Sequence, residues 1–104
     1  MELTALELRD ALASGRPIML LDVREQWEFD LCHLPNAVHM PLGSLPERLG
    51  ELEAGAEIVT ICHGGGRSLQ AARFLKSQGH DNVRSLRGGV EGWAVQVDPG
   101  MARY

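Results

Sequence analysis

Two short, largely apolar runs set the fold class of this chain, and the first of them is unbroken. Residues 18–21 read Ile-Met-Leu-Leu, and residues 57–61 read Glu-Ile-Val-Thr-Ile. A strand with one face in water alternates apolar and polar side chains, whereas a continuous apolar run fits a strand that is buried on both faces. Such strands occur in parallel sheets that helices cover on both sides. The two runs therefore predict an α/β fold with a central parallel sheet.

The segments around these runs show helical signals. Thr4 and Glu7 form a capping-box pattern that opens a helix, and Gly15 ends it. Residues 68–78 place an apolar side chain at every third position, and Gly79 caps their end. The shorter predicted elements are strands at residues 37–40 and 83–86 and helices at residues 25–31, 45–52 and 90–95. Strands that alternate with helices predict a three-layer α/β fold, here as one domain over residues 1–104.

The composition narrows the class of protein. A chain of 104 residues has the usual size of one domain, and 44% hydrophobic residues can form one core. The formal net charge of -4 argues against a broad nucleic-acid-binding or membrane-binding surface. However, nine of the 10 basic residues are arginines, whose forked guanidinium group suits the binding of oxyanions. We therefore expect a local anion site on an otherwise acidic protein.

The chain shows no pattern for export or membrane insertion. Residues 1–13 lack a basic start followed by a long apolar stretch, and residues 18–21 are too few to span a bilayer. The two cysteines, Cys32 and Cys62, are too few for a disulfide scaffold. We expect a soluble cytoplasmic protein with reduced thiols.

The segment after the second apolar run carries the chemistry. Residues 62–68 read Cys-His-Gly-Gly-Gly-Arg-Ser and lie between a predicted strand and a predicted helix. Ligands of open α/β sheets bind beyond the carboxyl ends of strands, which is where Cys62 lies. Glycines allow a tight turn, and the free N–H groups at a helix start attract anions. These donors would surround the Cys62 sulfur and favour the nucleophilic thiolate. The alternative is a flexible loop with an inert, buried cysteine.

Four groups of residues, in this order and spacing, resemble the motifs of the rhodanese family. They are residues 21–25 (Leu-Asp-Val-Arg-Glu) with Glu28 and Phe29; residues 33–37 (His-Leu-Pro-Asn-Ala) with residues 40–42 (Met-Pro-Leu); the loop of residues 62–68; and residues 86–89 (Leu-Arg-Gly-Gly) with Trp93. Each motif alone is weak, but together they extend over nearly the whole chain. The resemblance implies the three-layer rhodanese-like fold.

The resemblance also implies sulfur transfer through a cysteine persulfide. Cys62 is then the catalytic nucleophile, which takes a sulfane sulfur from thiosulfate or another persulfide donor. The implied partners are a small anionic sulfur donor and a thiol or protein acceptor, with cyanide as the acceptor in vitro. The implied substrate-binding residues are His63, Gly64, Gly65, Gly66, Arg67 and Ser68, and Arg24 is a further candidate because of its place after a strand end. No metal, organic cofactor, nucleic acid or membrane partner is implied, and we expect a monomer or weak dimer.

Other functions remain open on the same fold. A rhodanese module can serve in binding or regulation alone, although such modules typically lack the cysteine that this chain keeps. The family resemblance implies that six-position loops, such as the one from Cys62 to Arg67, accompany sulfur transfer, whereas the related phosphatases and arsenate reductases have loops one residue longer. The loop length therefore favours sulfur transfer over phosphorus chemistry. A sulfur carrier that hands its persulfide to a biosynthetic partner would use the same residues.

Three side chains near the motifs have two interpretations each. Arg24 follows a strand end and could lie at the pocket mouth, but an ion-pair network that holds the loop edges is favoured. The His63 imidazole is expected to line the pocket wall, with the His63 backbone N–H in the cradle of donors. Cys32 could be a resolving thiol for Cys62, but a small buried side chain is favoured.

The two tryptophans and the two Cys-His pairs have simpler interpretations. Trp27 and Trp93 are expected to pack in the core or near the surface rather than to wall the substrate pocket. Zinc ligands are usually spaced two to four residues apart so that both reach one ion. The adjacent Cys-His pairs do this poorly, so a zinc site is disfavoured.

Overall fold

The computed structural model describes residues 1–104, and its elements alternate along the chain as the sequence predicts. The strands are β1 (Glu2–Leu3), β2 (Met19–Asp22), β3 (Val38–His39), β4 (Ile58–Ile61) and β5 (Val83–Leu86). The helices are α1 (Ala5–Ala13), α2 (Gln26–Leu31), α3 (Leu45–Arg48), α4 (Gly66–Ser77) and α5 (Gly89–Gln96). All strand pairs are parallel, and the sheet order is β1-β5-β4-β2-β3. This confirms the predicted central parallel sheet.

Apolar side chains fill both faces of the sheet. On one face, Leu21 of β2 belongs to a buried cluster with Leu75 of α4. On the other face, the neighbouring Leu20 belongs to a second cluster with Leu8 of α1 and Val90 of α5. Successive side chains of a strand point to opposite faces, so helices on both sides need apolar residues at every strand position. The helices that cover both faces thus explain the unbroken apolar run of residues 18–21 and the largely apolar run of residues 57–61.

The start of the chain contains one element that the sequence does not predict. The capping box of α1 is present, because the Glu7 N–H donates to Thr4 Oγ1 at 3.1 Å and the Thr4 N–H donates to Glu7 Oε1 at 2.8 Å. Just before it, β1 pairs with Ser85 and Leu86 of β5 at the edge of the sheet. A strand of two residues is too short to show any periodicity, so only its pairing with β5 reveals it.

Two predicted helices have different bounds in the structure. The helix predicted for residues 68–78 begins at Gly66, because Gly65 takes the cap position with a left-handed backbone (φ 117°). The segment predicted as one helix over residues 45–52 consists of α3 followed by a 3-10 turn at Leu49–Glu51. None of the helices combines the length and the hydrophobicity that a membrane span requires.

The parallel arrangement brings several loops to one edge of the sheet. β2, β4 and β5 are adjacent, so the segments that follow their carboxyl ends lie side by side. The Val23 N–H donates to the Ile61 carbonyl oxygen at 2.9 Å, which ties the end of β2 to the end of β4. The candidate site is built on this edge.

Candidate active site

Cys62 lies directly beyond the end of β4 and is the centre of the site. The residue is 1% exposed, and two groups contact its sulfur. The Gly65 N–H donates to Cys62 Sγ at 3.0 Å, and the Ser68 hydroxyl oxygen lies 3.3 Å from Sγ. The sulfur therefore faces the loop that the sequence singled out, at the start of α4.

The loop of three glycines has one position that requires glycine for its backbone. Gly65 has a φ of 117°, a region that side-chain-bearing residues rarely adopt. A Cβ built on Gly64 or on Gly66 would meet no atom within 4 Å, so the outer side of the loop is open. The first N–H groups of the 12-residue helix α4 have no partner one turn earlier, which makes this helix start attractive to anions.

Helix α5 holds the loop backbone from outside. The Val90 N–H donates to the Cys62 carbonyl oxygen at 2.9 Å, and the Glu91 N–H donates to the His63 carbonyl oxygen at 3.2 Å. In a trans peptide the C=O and N–H groups point in opposite directions. The N–H groups of the same two peptide units, which belong to His63 and Gly64, therefore point away from α5. This orientation leaves both donors available to an anion.

Gly89 makes this close approach of α5 possible. A Cβ built on Gly89 would lie 2.3 Å from the carbonyl oxygens of Cys62 and His63, and Gly89 has a φ of 56°. No larger residue fits there without moving the loop. The pair of glycines at residues 88–89, which belongs to the last of the four sequence motifs, therefore allows the helix to bind the loop.

A pair of buried hydroxyls extends from the Cys62 sulfur. Ser68 Oγ lies 2.7 Å from Ser85 Oγ of β5, and Ser68 also donates to the Gly65 carbonyl oxygen at 3.1 Å. Both serines are completely buried. Ser68 was predicted as a site residue, whereas Ser85 had no signal in the sequence. Its place follows from strand pairing, which puts β5 next to β4.

Arg67 is held by a two-pronged ion pair. Its Nη1 and Nη2 donate to Glu28 Oε1 and Oε2 at 2.6 and 2.8 Å. The Arg67 side chain is 37% exposed, whereas the Glu28 side chain is nearly buried. Arg67 is the main reason that the pKa of Glu28 is lowered to about 2, against the opposing effect of burial. The hydrogen bonds with Glu28 in turn raise the pKa of Arg67. Glu28 lies in the first motif, but the sequence analysis assigned it no separate role.

Arg24 lies inside the protein rather than at the pocket mouth. It is 0% exposed, and its guanidinium donates to both Asp22 carboxylate oxygens, with a shortest distance of 2.7 Å. It also donates to the carbonyl oxygens of Glu28 and Cys32 at 3.2 and 2.6 Å. These contacts leave the guanidinium no free face for a substrate. The geometry favours the ion-pair interpretation over the substrate-binding one.

Tyr104 brings the end of the chain to the same place. Its hydroxyl donates to Glu28 Oε2 at 2.7 Å and accepts from Arg24 Nη1 at 2.9 Å. Its ring stacks on the His63 imidazole at 4.3 Å between centroids, so His63 lies against an aromatic wall. The Nε2 atom of His63 is buried without a hydrogen-bond partner. No sequence motif pointed to Tyr104.

The two tryptophans and Cys32 lie in three different environments. Trp93 of α5 is buried in the core, as expected for packing. Trp27 is 62% exposed, and its ring lies edge-on to the Tyr104 ring with 5.4 Å between the two centroids. Trp27 therefore packs at the surface. Cys32 is partly buried and has a free thiol, as does Cys62. Its sulfur lies 3.9 Å from Arg24 Nη1.

Comparison with known proteins assigns the family. The model of the Rhodanese-like domain family matches residues 4–96, and the chain therefore belongs to this family. It is 33% identical over 93 residues to a protein of Allochromatium vinosum named Sulfurtransferase, covering 89% of this chain and 87% of that protein. It superimposes on the solved structure of human single domain sulfurtransferase TSTD1 with a TM-score of 0.85 and 28% identity, covering 91% of this chain and 96% of that chain.

Some relatives are longer than this chain. YrkF of Bacillus subtilis is 38% identical over 97 residues, which are 93% of this chain but 52% of YrkF. MoeZ of Mycobacterium tuberculosis is 38% identical over 104 residues, which are 26% of its length. The chain thus spans about half or less of these curated relatives.

Proposed function

We propose that this protein is a sulfurtransferase that carries a sulfane sulfur on Cys62. The observation that carries the proposal is the position of the Cys62 sulfur, which accepts the Gly65 N–H at 3.0 Å at the start of α4. Backbone donors at a helix start stabilise a thiolate and an anionic persulfide alike. Family membership and the names of the A. vinosum and human relatives support the same chemistry.

The first half-reaction loads the cysteine. The Cys62 thiolate attacks the outer sulfur of thiosulfate and forms a new S–S bond. The bond between that sulfur and the sulfonate group breaks, and its electron pair leaves with sulfite. Cys62 then carries an anionic persulfide, and the free N–H groups of His63 and Gly64 are oriented to receive it. Arg67, partly exposed beside the loop, attracts the anionic donor.

The second half-reaction removes the transferred sulfur from Cys62. A nucleophile (cyanide in vitro, a thiol in the cell) attacks the outer sulfur of the persulfide. The S–S bond to Cys62 breaks, and its electron pair restores the thiolate. The products are thiocyanate from cyanide or a new persulfide from a thiol. Because the enzyme is modified between two separate substrates, the kinetics are ping-pong.

A protein acceptor is the second candidate for the physiological role. YrkF is named as a sulfur carrier protein, and MoeZ as an adenylyltransferase/sulfurtransferase. This chain corresponds to about half of the first and 26% of the second. A segment that matches part of a longer protein named for sulfur transfer is suited to deliver its persulfide to a protein acceptor.

The test follows the sulfur atom. The protein is incubated with thiosulfate, its intact mass is measured for one added sulfur, and cyanide is then added and thiocyanate assayed. The wild type should gain and release the sulfur, and Cys62→Ser should do neither. Cys32→Ser is the matched control, because it removes the other thiol and should load normally. Turnover by Cys62→Ser would refute the mechanism, and phosphate release from an aryl phosphate without thiocyanate would favour a phosphatase.

A further inference from the structure

We propose that Tyr104 is a positioning residue, whose hydroxyl holds Arg67 in place for capture of an anionic sulfur donor. The proposal rests on the proposed function for its substrate. Tyr104 lies outside the residues that the family model matches, 4–96. Its role is inferred from its contacts with two ion pairs beside the Cys62 loop.

The Tyr104 hydroxyl is the bridge between these ion pairs. On one side is Arg24, which Asp22 and two backbone carbonyls hold rigidly inside the protein. On the other side is Glu28, whose carboxylate forms the ion pair with Arg67. Tyr104 accepts from Arg24 Nη1 at 2.9 Å and donates to Glu28 Oε2 at 2.7 Å. It thus anchors the Glu28 carboxylate to a fixed point.

The hydroxyl completes the hydrogen bonding of this carboxylate. Glu28 Oε1 accepts from Arg67 Nη1 and from the Glu25 N–H at 2.9 Å, and Oε2 accepts from Arg67 Nη2 and from Tyr104. Without the hydroxyl, Oε2 keeps Arg67 as its single partner. The carboxylate can then rotate, and more of its negative charge acts on Arg67. Both changes weaken the positive potential that Arg67 presents on the open side of the loop.

The Tyr104 ring has a separate function from the hydroxyl. It stacks on His63, the first loop residue after Cys62, and it makes an edge contact with the exposed Trp27. The ring thereby covers one wall of the loop and shields the partnerless Nε2 of His63 from water. Tyr104→Phe removes the hydroxyl and keeps this packing, so the two contributions can be separated by substitution.

The first measurement uses the sulfur transfer reaction. In Tyr104→Phe we expect the KM for thiosulfate to rise about fivefold, since one hydrogen bond to a charged group is lost, while kcat stays within about twofold. Arg48→Gln is the matched control, because it removes an exposed ion pair with Glu51 away from the site and should leave both constants unchanged. An unchanged KM in Tyr104→Phe would overturn the proposal, whether or not kcat and thermal stability fall.

The second measurement does not depend on sulfur transfer. The rates at which anionic iodoacetate and neutral iodoacetamide alkylate Cys62 are measured at the Cys62 peptide by mass spectrometry. Because Arg67 acts through its charge, Tyr104→Phe should lower the ratio of the iodoacetate rate to the iodoacetamide rate several-fold. An unchanged ratio would contradict the role of Tyr104. If the wild type transfers no sulfur but the ratio still falls, the proposed function fails and the role of Tyr104 in setting the local potential stands.

Discussion

The hydroxyl oxygens of Ser68 and Ser85 lie 2.7 Å apart in the buried space next to the Cys62 sulfur. When Cys62 carries a proton, its thiol can donate to Ser68. When Cys62 is ionised, Ser68 can turn its hydrogen to the sulfur and accept one from Ser85 in exchange. The pair can therefore satisfy both states of the cysteine without admitting water.

Substitution of Ser85 tests this arrangement. In Ser85→Ala the Ser68 oxygen loses its buried partner, so the Cys62 thiolate is less well supported. We expect the rate of persulfide formation from thiosulfate to fall about three- to tenfold, as for the loss of one buried hydrogen bond. Ser77→Ala removes an exposed hydroxyl at the far end of α4 and should leave the rate unchanged. A Ser85→Ala rate equal to that of the wild type would show that the second hydroxyl is not needed.

The two-pronged ion pair of Arg67 with Glu28 predicts that loss of the positive charge and loss of the contact geometry have different effects on activity. Arg67→Ala should lower kcat/KM for thiosulfate much more than it lowers thermal stability, because the side chain is partly exposed and acts on an incoming anion. Arg67→Lys keeps the charge but loses the two-pronged contact with Glu28, and it should recover only part of the activity. Steady-state kinetics and thermal melts of the three proteins distinguish these effects. Equal losses of activity and stability in Arg67→Ala would make Arg67 a structural residue.

Glu28 predicts a pH dependence of stability. Its pKa is about 2 in the folded protein, chiefly because of Arg67, and an unfolded chain has the ordinary value of 4.5. A group whose pKa is depressed by folding stabilises the protein above its unfolded pKa, and this contribution is lost as the pH falls towards the folded value. The stability difference between the wild type and Glu28→Gln should be largest near neutral pH and shrink between about pH 4.5 and 2. Denaturant unfolding across this range measures it, and a constant difference would contradict the prediction.

The single tyrosine of the chain provides a spectroscopic signal. Burial and the hydrogen bond to Glu28 raise the pKa of Tyr104 to about 12, although Arg24 opposes the shift. Absorbance of the phenolate should therefore titrate about two pH units higher in the native protein than in denaturant. Because the folded pKa is raised, the associated stability is present below about pH 10 and is lost as the pH rises towards 12. Circular dichroism monitors folding in parallel, and a native midpoint near 10 would show that Tyr104 is not docked.

Gly89 predicts the most damaging small substitution. The added methyl group of Gly89→Ala would overlap the carbonyl oxygens of Cys62 and His63 at 2.3 Å, on a backbone with positive φ. We expect a loss of about 2–4 kcal/mol of unfolding free energy and little remaining sulfur transfer. Gly50→Ala is the control, since its Cβ would meet no atom within 4 Å and its φ is not positive. Wild-type activity in Gly89→Ala would contradict the described contact between α5 and the loop.

The parts of the site that the sequence predicts are those close together in the chain. Cys62, Gly65 and Ser68 lie within one strand–loop–helix segment, so their neighbourhood follows from local structure alone. Ser85 contacts Ser68 from 17 residues further along the chain. Tyr104 contacts Glu28 from 76 residues further along the chain. Such contacts depend on sheet order and on the path of the chain end, which no local pattern encodes.

Arg24 shows a different kind of difficulty. Its position after β2 was predicted correctly, but residue type and place cannot tell whether an arginine faces solvent or the interior. The structure settles this through Asp22 two residues earlier and the carbonyl oxygens of α2 and Cys32, which together occupy its donors. Burial of the whole guanidinium is a tertiary property, whereas the favoured sequence interpretation named only an ion-pair network at the loop edges.

The two hydrogen bonds from α5 to the loop fix the orientation of two peptide units before any ligand arrives. A flexible loop would have to order these peptides on binding, and part of the interaction free energy would be lost to that ordering. In the proposed reaction, thiosulfate, the persulfide and the departing sulfite would meet peptide dipoles that are already oriented towards an anion. Preorganisation of the catalytic loop thus originates in a helix more than 20 residues away in the chain, and mutations in that helix should alter catalysis without touching the substrate.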